Sequence, residues 1–200
     1  NLKMNSLRRE FINSQININK SKLKGIIADF GGSSKKNSRT NIQKIFAKEQ
    51  IVSINIDKNS GANVICDLED LPHQENEFDG FLLLEVLEHV KNPKKIIKEI
   101  HRVVKKNSFG FISMPFLYQI HKAPKDYRRW TKDKLIEFFE NNNFTVESII
   151  ENGDLYSVIF DLMRSKVLSS SNNSISSKFK VLLLKLLKPI FRLLDKNIKK

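Results

Sequence analysis

Apolar positions along this chain follow two rhythms that take turns. Short apolar runs at 25–30, 51–57, 63–66, 78–84, 109–114 and 144–150 read as strands. The run at 78–84 is almost wholly apolar, as a strand covered on both faces should be. Between the runs the spacing becomes helical. A weakly amphipathic helix is expected at 2–20, with Leu7, Phe11, Ser14 and Ile18 on one face. A second at 40–48 carries Ile42, Ile45 and Phe46 on one side. A third at 94–104 follows Pro93, which suits a first helical turn. Thr131 caps a fourth, running to 142. Strands alternating with helices imply an α/β class: a doubly wound, mostly parallel sheet with helices on both faces. No internal repeat is present.

After Gly153 the alternation stops. Residues 154–167 read as a helix, 169–177 as a serine- and asparagine-rich linker, and 178–200 as a separate amphipathic helix. The expected organisation is an N-terminal helix at 1–23, an alternating domain at 24–168, the linker at 169–177 and the basic helix at 178–200. On that last helix Lys185, Lys188, Arg192, Lys196 and Lys199 share one face. Phe179, Leu182, Leu183, Leu186, Leu187, Ile190, Leu193 and Leu194 fill the rest, and Pro189 should kink it. Three readings fit: a helix lying in a membrane interface, a helix packed on its own sheet or on a second copy in a homodimer, or a helix packed on another partner. No run of about 18 uncharged apolar residues exists to span a bilayer.

Composition narrows the chemistry. One cysteine, Cys66, in 200 residues excludes a disulfide framework and a cysteine-rich zinc site. It also favours a reducing compartment. The first residues lack the features of a secretory leader, so the expected location is cytoplasmic, at the inner membrane face if the last helix binds lipid. The net charge of +13 sits at the two ends. Residues 1–28 hold six basic and one acidic side chain, residues 178–200 eight and one, and the body between is +1. A nucleic-acid partner, which wants a basic stripe across a binding face, is not expected.

Candidate chemistry gathers where strands end. The first ends Asp29-Phe30-Gly31-Gly32-Ser33, a turn that lets backbone approach a ligand. It is neither a dinucleotide fingerprint nor a P-loop. The second ends in Asp57, a carboxylate able to hold ribose hydroxyls. The third runs into Asp67-Leu68-Glu69-Asp70-Leu71-Pro72, and the fourth exits into Glu85-Val86-Leu87-Glu88-His89-Val90. On a helix Glu85 and Glu88 would share a face with His89, a set able to hold a divalent ion. The loop at 115–131 is long, aromatic and polar at once.

Asp29-x-Gly31, Asp57, Asp67-Leu68-x-x-Leu71-Pro72, Phe78-Asp79 and Glu85-x-x-Glu88-His89-Val90, in that order, resemble the class I S-adenosylmethionine-dependent methyltransferases. The small-molecule, methyltransferase type 11-like branch fits best. His101-Arg102-Val103-Val104-Lys105-Lys106 resembles that branch's segment before strand five, and Met114-Pro115 its strand end. The resemblance covers about residues 24–150 and implies a Rossmann-like sheet with S-adenosylmethionine as cofactor. By position, Asp29, Gly31, Gly32 and Ser33 would frame the cofactor's methionine part, with Glu85 beside them. Asp57 would hold the ribose, and Asp67 with the Leu68 backbone would meet the adenine. Ser33 stands where the family commonly has glycine, and a left-handed backbone there would cost energy. His121, Glu85 and His89 are the catalytic candidates; Tyr118, His121, Tyr127 and Arg128 are the substrate candidates. No metal is expected, although Glu85, Glu88 and His89 match an E-x-x-E-H used for one by some methyltransferases, with His121 in the loop after strand five as a further ligand or a base. Trp130 and the Asp126–Arg129 pair also suit a purely structural pin for the loop. The expected substrate is a small molecule, such as a sugar or cell-envelope precursor. RNA or protein methylation, or an inactive membrane-associated scaffold, are the alternatives. The family's usual final antiparallel strand is not legible after Lys178.

Overall fold

The computed structural model describes residues 4–33, 42–47, 50–121, 125–169 and 175–198. Their contacts form two units. The larger joins residues 13–116 with 120–149; the smaller joins 1–12, 117–119 and 150–200.

The larger unit holds one parallel sheet of five strands: β1 (Ile27–Phe30), β2 (Ile51–Asn55), β3 (Val64–Ile65), β4 (Phe78–Leu84) and β5 (Val104–Ser113). Their order is β3-β2-β1-β4-β5, with every pairing parallel. Helices flank it, as the α/β, Rossmann-like expectation required. β1 is buried along its whole length, and β4 at five of seven positions. This is why both read as largely apolar runs, broken only by Asp29 and Asp79. α1 (Leu7–Asn19) precedes the sheet, followed by a short 3-10 turn at Lys20–Lys22. α2 (Ile42–Ile45) is shorter than the helix expected at 40–48: Phe46 and Ala47 are described but not helical, and residues 40, 41 and 48 lie outside the described residues. α3 (Pro93–Val103) starts on its proline and buries Ile96, Ile97, Ile100 and Val103. α4 (Lys132–Glu140) begins where expected, the Thr131 hydroxyl accepting from the Lys134 N–H.

Residues 144–150 differ from expectation: no strand forms there. Phe144 sets its ring 5.8 Å from both Phe81 and Phe139, and Val146 reaches the same core. Alternate side chains bury without a backbone ladder, so the apolar alternation is real although the pairing is not.

The smaller unit contains α5 (Leu155–Ser169) and α6 (Ile175–Ile198). Met4, Leu7, Phe160 and Leu184 form its core, with Val167 and Phe191 packed against them. The expected boundaries followed the chain, whereas this core draws residues 4–12 together with both C-terminal helices. Of the expected linker at 169–177, Ser169 closes α5, residues 175–177 already belong to α6, and 170–174 lie outside the described residues. α6 continues through Pro189; Lys199 lies outside the described residues.

Candidate functional site

β4 follows β3 in sequence but lies beside β1 in the sheet, so strand order reverses between β1 and β4. In open parallel sheets ligands seat in the crevice beyond the carboxyl ends at such a switch point. The glycine turn closes β1 there. Gly31 has φ +78°, and a Cβ on it would lie 2.5 Å from a methyl of Val86, just past β4. Gly32 is tighter still. A Cβ would lie 2.2 Å from Asp29 Oδ2 and 2.8 Å from the Asp29 carbonyl oxygen. Both glycines are therefore required by space, and Gly31 by backbone angle too.

Asn55, the last residue of β2, holds this turn. Its amide donates to the Gly31 carbonyl at 3.0 Å and to the Gly32 carbonyl at 2.8 Å. The Ser33 hydroxyl donates to the Ser60 carbonyl at 2.6 Å. Ser33 is not among the described residues with left-handed φ. The serine that departs from the expected glycine thus ties the turn to the loop after β2.

Asp57 lies in that loop, two residues beyond the strand, where its Oδ1 accepts the Asn59 N–H at 2.8 Å. Asp67 makes the same kind of turn after β3, accepting from the Glu69 N–H at 2.9 Å. Both are exposed, while Leu68 is buried and offers the site only backbone. The loop carrying Asp67 is fastened from behind. Glu99 accepts the Leu71 N–H at 3.1 Å, and Arg102 donates to the Leu71 and His73 carbonyls at 3.0 and 2.8 Å. Burial, then the charges of Asp67 and Asp70, push the Cys66 thiol above its usual range. That leaves it protonated and unsuited to act as a nucleophile.

Residues 85–92 form a turn, not the helix that would have aligned Glu85 with Glu88. Glu85 itself sits at φ +57°, uncommon for a residue with a Cβ, at the tip of β4. The turn is held from the loop after β5. The Arg128 guanidinium donates to the carbonyls of Leu87, Val90 and Lys91. The Tyr127 N–H donates to the Glu88 carbonyl at 2.7 Å. Arg128 is occupied with backbone and shapes the wall indirectly; Tyr127, 43% exposed, presents its ring. Trp130 packs on Phe138, centroids 4.6 Å apart, in the structural role its apolar surface suggested.

Two imidazoles meet here. The His89 and His121 rings stand edge to face, centroids 4.9 Å apart. His89 Nδ1 lies 2.6 Å from the Lys125 carbonyl oxygen. His121 Nδ1 lies 3.4 Å from Asp126 Oδ2, and the same oxygen accepts the His121 backbone N–H at 2.9 Å. Each ring therefore has its Nδ1 near an oxygen, which orients the imidazole. The Glu88 side chain is fully buried, with Oε1 3.6 Å from His89 Nε2. Glu88, His89 and His121 offer ligand atoms all within 4.8 Å of one another. His121, not Glu85, completes that group. Tyr118, expected on the same wall, belongs to the smaller unit, where Arg8 stacks on its ring at 4.3 Å.

Two further residues, Asn55 and Glu99, were not legible as functional from sequence. The one available signal was polarity at a strand end for Asn55, and an acid one turn before Arg102 for Glu99.

Residues 37–112 match the family described as a methyltransferase domain. A Methanocaldococcus jannaschii protein, MJ1123, is 39% identical over 74 residues, which is 35% of this chain and 36% of that protein. The chain thus aligns with about a third of that relative's length. Among solved structures, the Burkholderia thailandensis 1,6-didemethyltoxoflavin-N1-methyltransferase, with 1,6-didemethyltoxoflavin and S-adenosylhomocysteine bound, is 16% identical with a TM-score of 0.53. That likeness covers 70% of this chain and 68% of the other. The [4+2]-cyclase SpnF is 14% identical with a TM-score of 0.60, covering 90% and 77%. At these identities the likeness is one of fold.

Proposed function

As the chain carries a class I methyltransferase domain of the type 11 branch, we propose that it moves the methyl group of S-adenosylmethionine to a small-molecule acceptor. The observation that carries this reading is the glycine turn at the switch point. Two Cβ-free positions at the end of β1 are clamped by Asn55, with the carboxylates of Asp57 and Asp67 on the loops after β2 and β3. That arrangement suits a cofactor with an aminoacyl end, a ribose and an adenine in a row. Asp29, Gly31, Gly32, Ser33 and Glu85 would meet the first part, Asp57 the second, and Asp67 with the Leu68 backbone the third.

The acceptor would attack the methyl carbon while the carbon–sulfur bond breaks, its electron pair staying on sulfur. The activated group comes with the cofactor, so the protein's task is alignment and proton removal. His121, held by Asp126, is the base that would take the acceptor's proton, and Tyr127 would wall the acceptor. The near-neutral body favours a sugar or cell-envelope precursor over RNA. Calorimetry with S-adenosylmethionine and S-adenosylhomocysteine tests the reading; absence of binding to either overturns it. A methyl-transfer assay across hydroxyl, amine and carboxylate acceptors then assigns the acceptor atom.

One observation favours a second arrangement at the same place. Glu88, His89 and His121 are close enough to share a divalent cation, with both imidazoles braced through Nδ1 as metal ligands usually are. An ion there would polarise an acceptor oxygen. His121 Nε2 cannot both bind it and take a proton, so the two arrangements are distinguishable.

A further inference from the structure

α6 is apolar on two opposite faces. One buries Val181 and Leu184 within the smaller unit. Half a turn away, Phe179, Leu182, Leu183, Leu186, Ile190 and Leu193 are 46–65% exposed. At helical spacing these six fall within a sector of about 100° and form a stripe roughly 20 Å long. Large exposed apolar surfaces of this kind mark docking sites. Charge says what docks. Lys178, Lys185 and Arg192, all exposed, recur at seven-residue steps along one shoulder of the stripe; Arg192 also pairs with Glu10 of α1. α5 and α6 together contain two carboxylates, Asp161 and Asp195, and both are buried. Asp161 accepts from the Leu7 and Arg8 N–H groups, Asp195 from the Tyr156 and Ser157 N–H groups. The exposed side of both helices therefore presents cations and large apolar side chains with no exposed carboxylate of their own.

We propose that α6 docks this unit on an anionic lipid surface, its axis lying in the interface. Apolar side chains would enter the acyl boundary while the lysine shoulder meets headgroup phosphates. A second copy is the poorer occupant, because pairing this face with itself brings cations together and neither helix supplies an exposed carboxylate to meet them. No helix among the described residues is long and apolar enough to cross a membrane, which agrees with an in-plane orientation. This proposal stands apart from methyl transfer, since it uses no residue of the candidate site.

The test is flotation of the full chain with vesicles of equal parts phosphatidylcholine and phosphatidylserine, and with phosphatidylcholine alone. Preferential binding to the mixed vesicles is expected, weakened but not abolished by salt. Leu182→Glu with Leu186→Glu should weaken binding at least about tenfold, since two leucines that would enter the acyl boundary are replaced by carboxylates. Both side chains are exposed, so the thermal midpoint should not move, which keeps the variant interpretable. Lys178→Glu with Lys185→Glu should remove the preference for phosphatidylserine. Failure of the unaltered chain to bind mixed vesicles at low salt overturns the proposal, as does unchanged binding in the double leucine variant. A dimer that the leucine variant converts to monomer, without vesicle binding, assigns the face to a second copy instead.

Discussion

His121 and Asp126 are joined twice: the imidazole Nδ1 lies 3.4 Å from Asp126 Oδ2, and that oxygen also accepts the His121 backbone N–H at 2.9 Å. Arg129 pairs with both oxygens of the same carboxylate. The aspartate thus sets ring and backbone together, which is what a base must have if its imidazole is to be aimed at an acceptor.

Asp126→Asn should lower turnover more than it raises the acceptor KM, and leave cofactor affinity unchanged. His121→Ala should cost about 10²–10⁴ in rate. Full activity in His121→Ala on an identified acceptor would remove it as the base.

The same carboxylate predicts a pH dependence. The Arg129 guanidinium, ahead of the His121 N–H, holds the Asp126 carboxyl well below the usual range. A depressed folded value means the stabilisation is present above the unfolded value of about 3.9 and is lost as pH falls below it. The Asp126 side chain is only 3% exposed, so breaking the pair should cost about 3–5 kcal/mol. Urea midpoints should be flat above pH 5 and fall towards pH 3, with Asp126→Asn lower at neutral pH and less steep in acid. Equal acid slopes in both proteins would put the dependence elsewhere.

Cofactor affinity should track the glycine turn. Gly32→Ala drives a methyl into Asp29 and should abolish S-adenosylhomocysteine binding. Asn55→Ala should weaken it by loosening two carbonyls of the turn. Asp57→Ala should remove charge-assisted bonds worth about 1.5–3 kcal/mol, roughly 10- to 150-fold in Kd. Calorimetry on the three variants, with melting curves to verify folding, checks all three. Unchanged affinity in Asp57→Ala would break the ribose assignment.

Strand ends were legible because the buried parallel strands are mostly apolar and give way to polar residues. That change placed Gly31, Gly32, Asp67 and Glu85 just past strand ends, and Asp57 at the end of a strand that stops two residues earlier, at Asn55. His121 was legible as a candidate further ligand beside His89, but the edge-to-face contact of the two rings was not, because 31 residues and one strand separate them in sequence. Nor was the turn at 85–92, where Glu-x-x-Glu-His spacing suits a helix face equally well. Arg128 looked like a substrate contact for a related reason: an exposed-loop arginine gives no hint that three carbonyls occupy it.

A divalent cation is checked by adding Mn²⁺ or Zn²⁺ to the full chain and reading calorimetric binding and thermal midpoint. A site at Glu88, His89 and His121 predicts stoichiometric binding, lost in His89→Ala and His121→Ala and retained in Glu85→Gln. Undiminished methyl transfer with chelator present, and no metal-dependent midpoint shift, would leave His121 as a base alone.

The two faces of α6 should respond differently to substitution. Leu184 is buried in the small core with Phe160, and Asp195 binds the first turn of α5 through two backbone N–H groups. Leu184→Ala should therefore lower stability by about 2–5 kcal/mol. Asp195→Asn should weaken the start of α5 by replacing a charged acceptor at a helix N-terminus with a neutral one. Leu186→Ala, on the exposed stripe, should change stability by less than about 0.5 kcal/mol. The sequence pattern suggested that residues 178–200 form a helix beyond a linker. Under that reading all three substitutions would be silent, and the chain could end at Ser177 without harm. The shared core predicts the opposite: ending the chain there removes Val181, Leu184 and Phe191 and leaves Phe160 uncovered. Proteolysis should then cleave α5 rapidly while the sheet of the larger unit persists. Intact resistance of α5 in the shortened chain would show that α6 contributes nothing to the core and serves only the surface it presents.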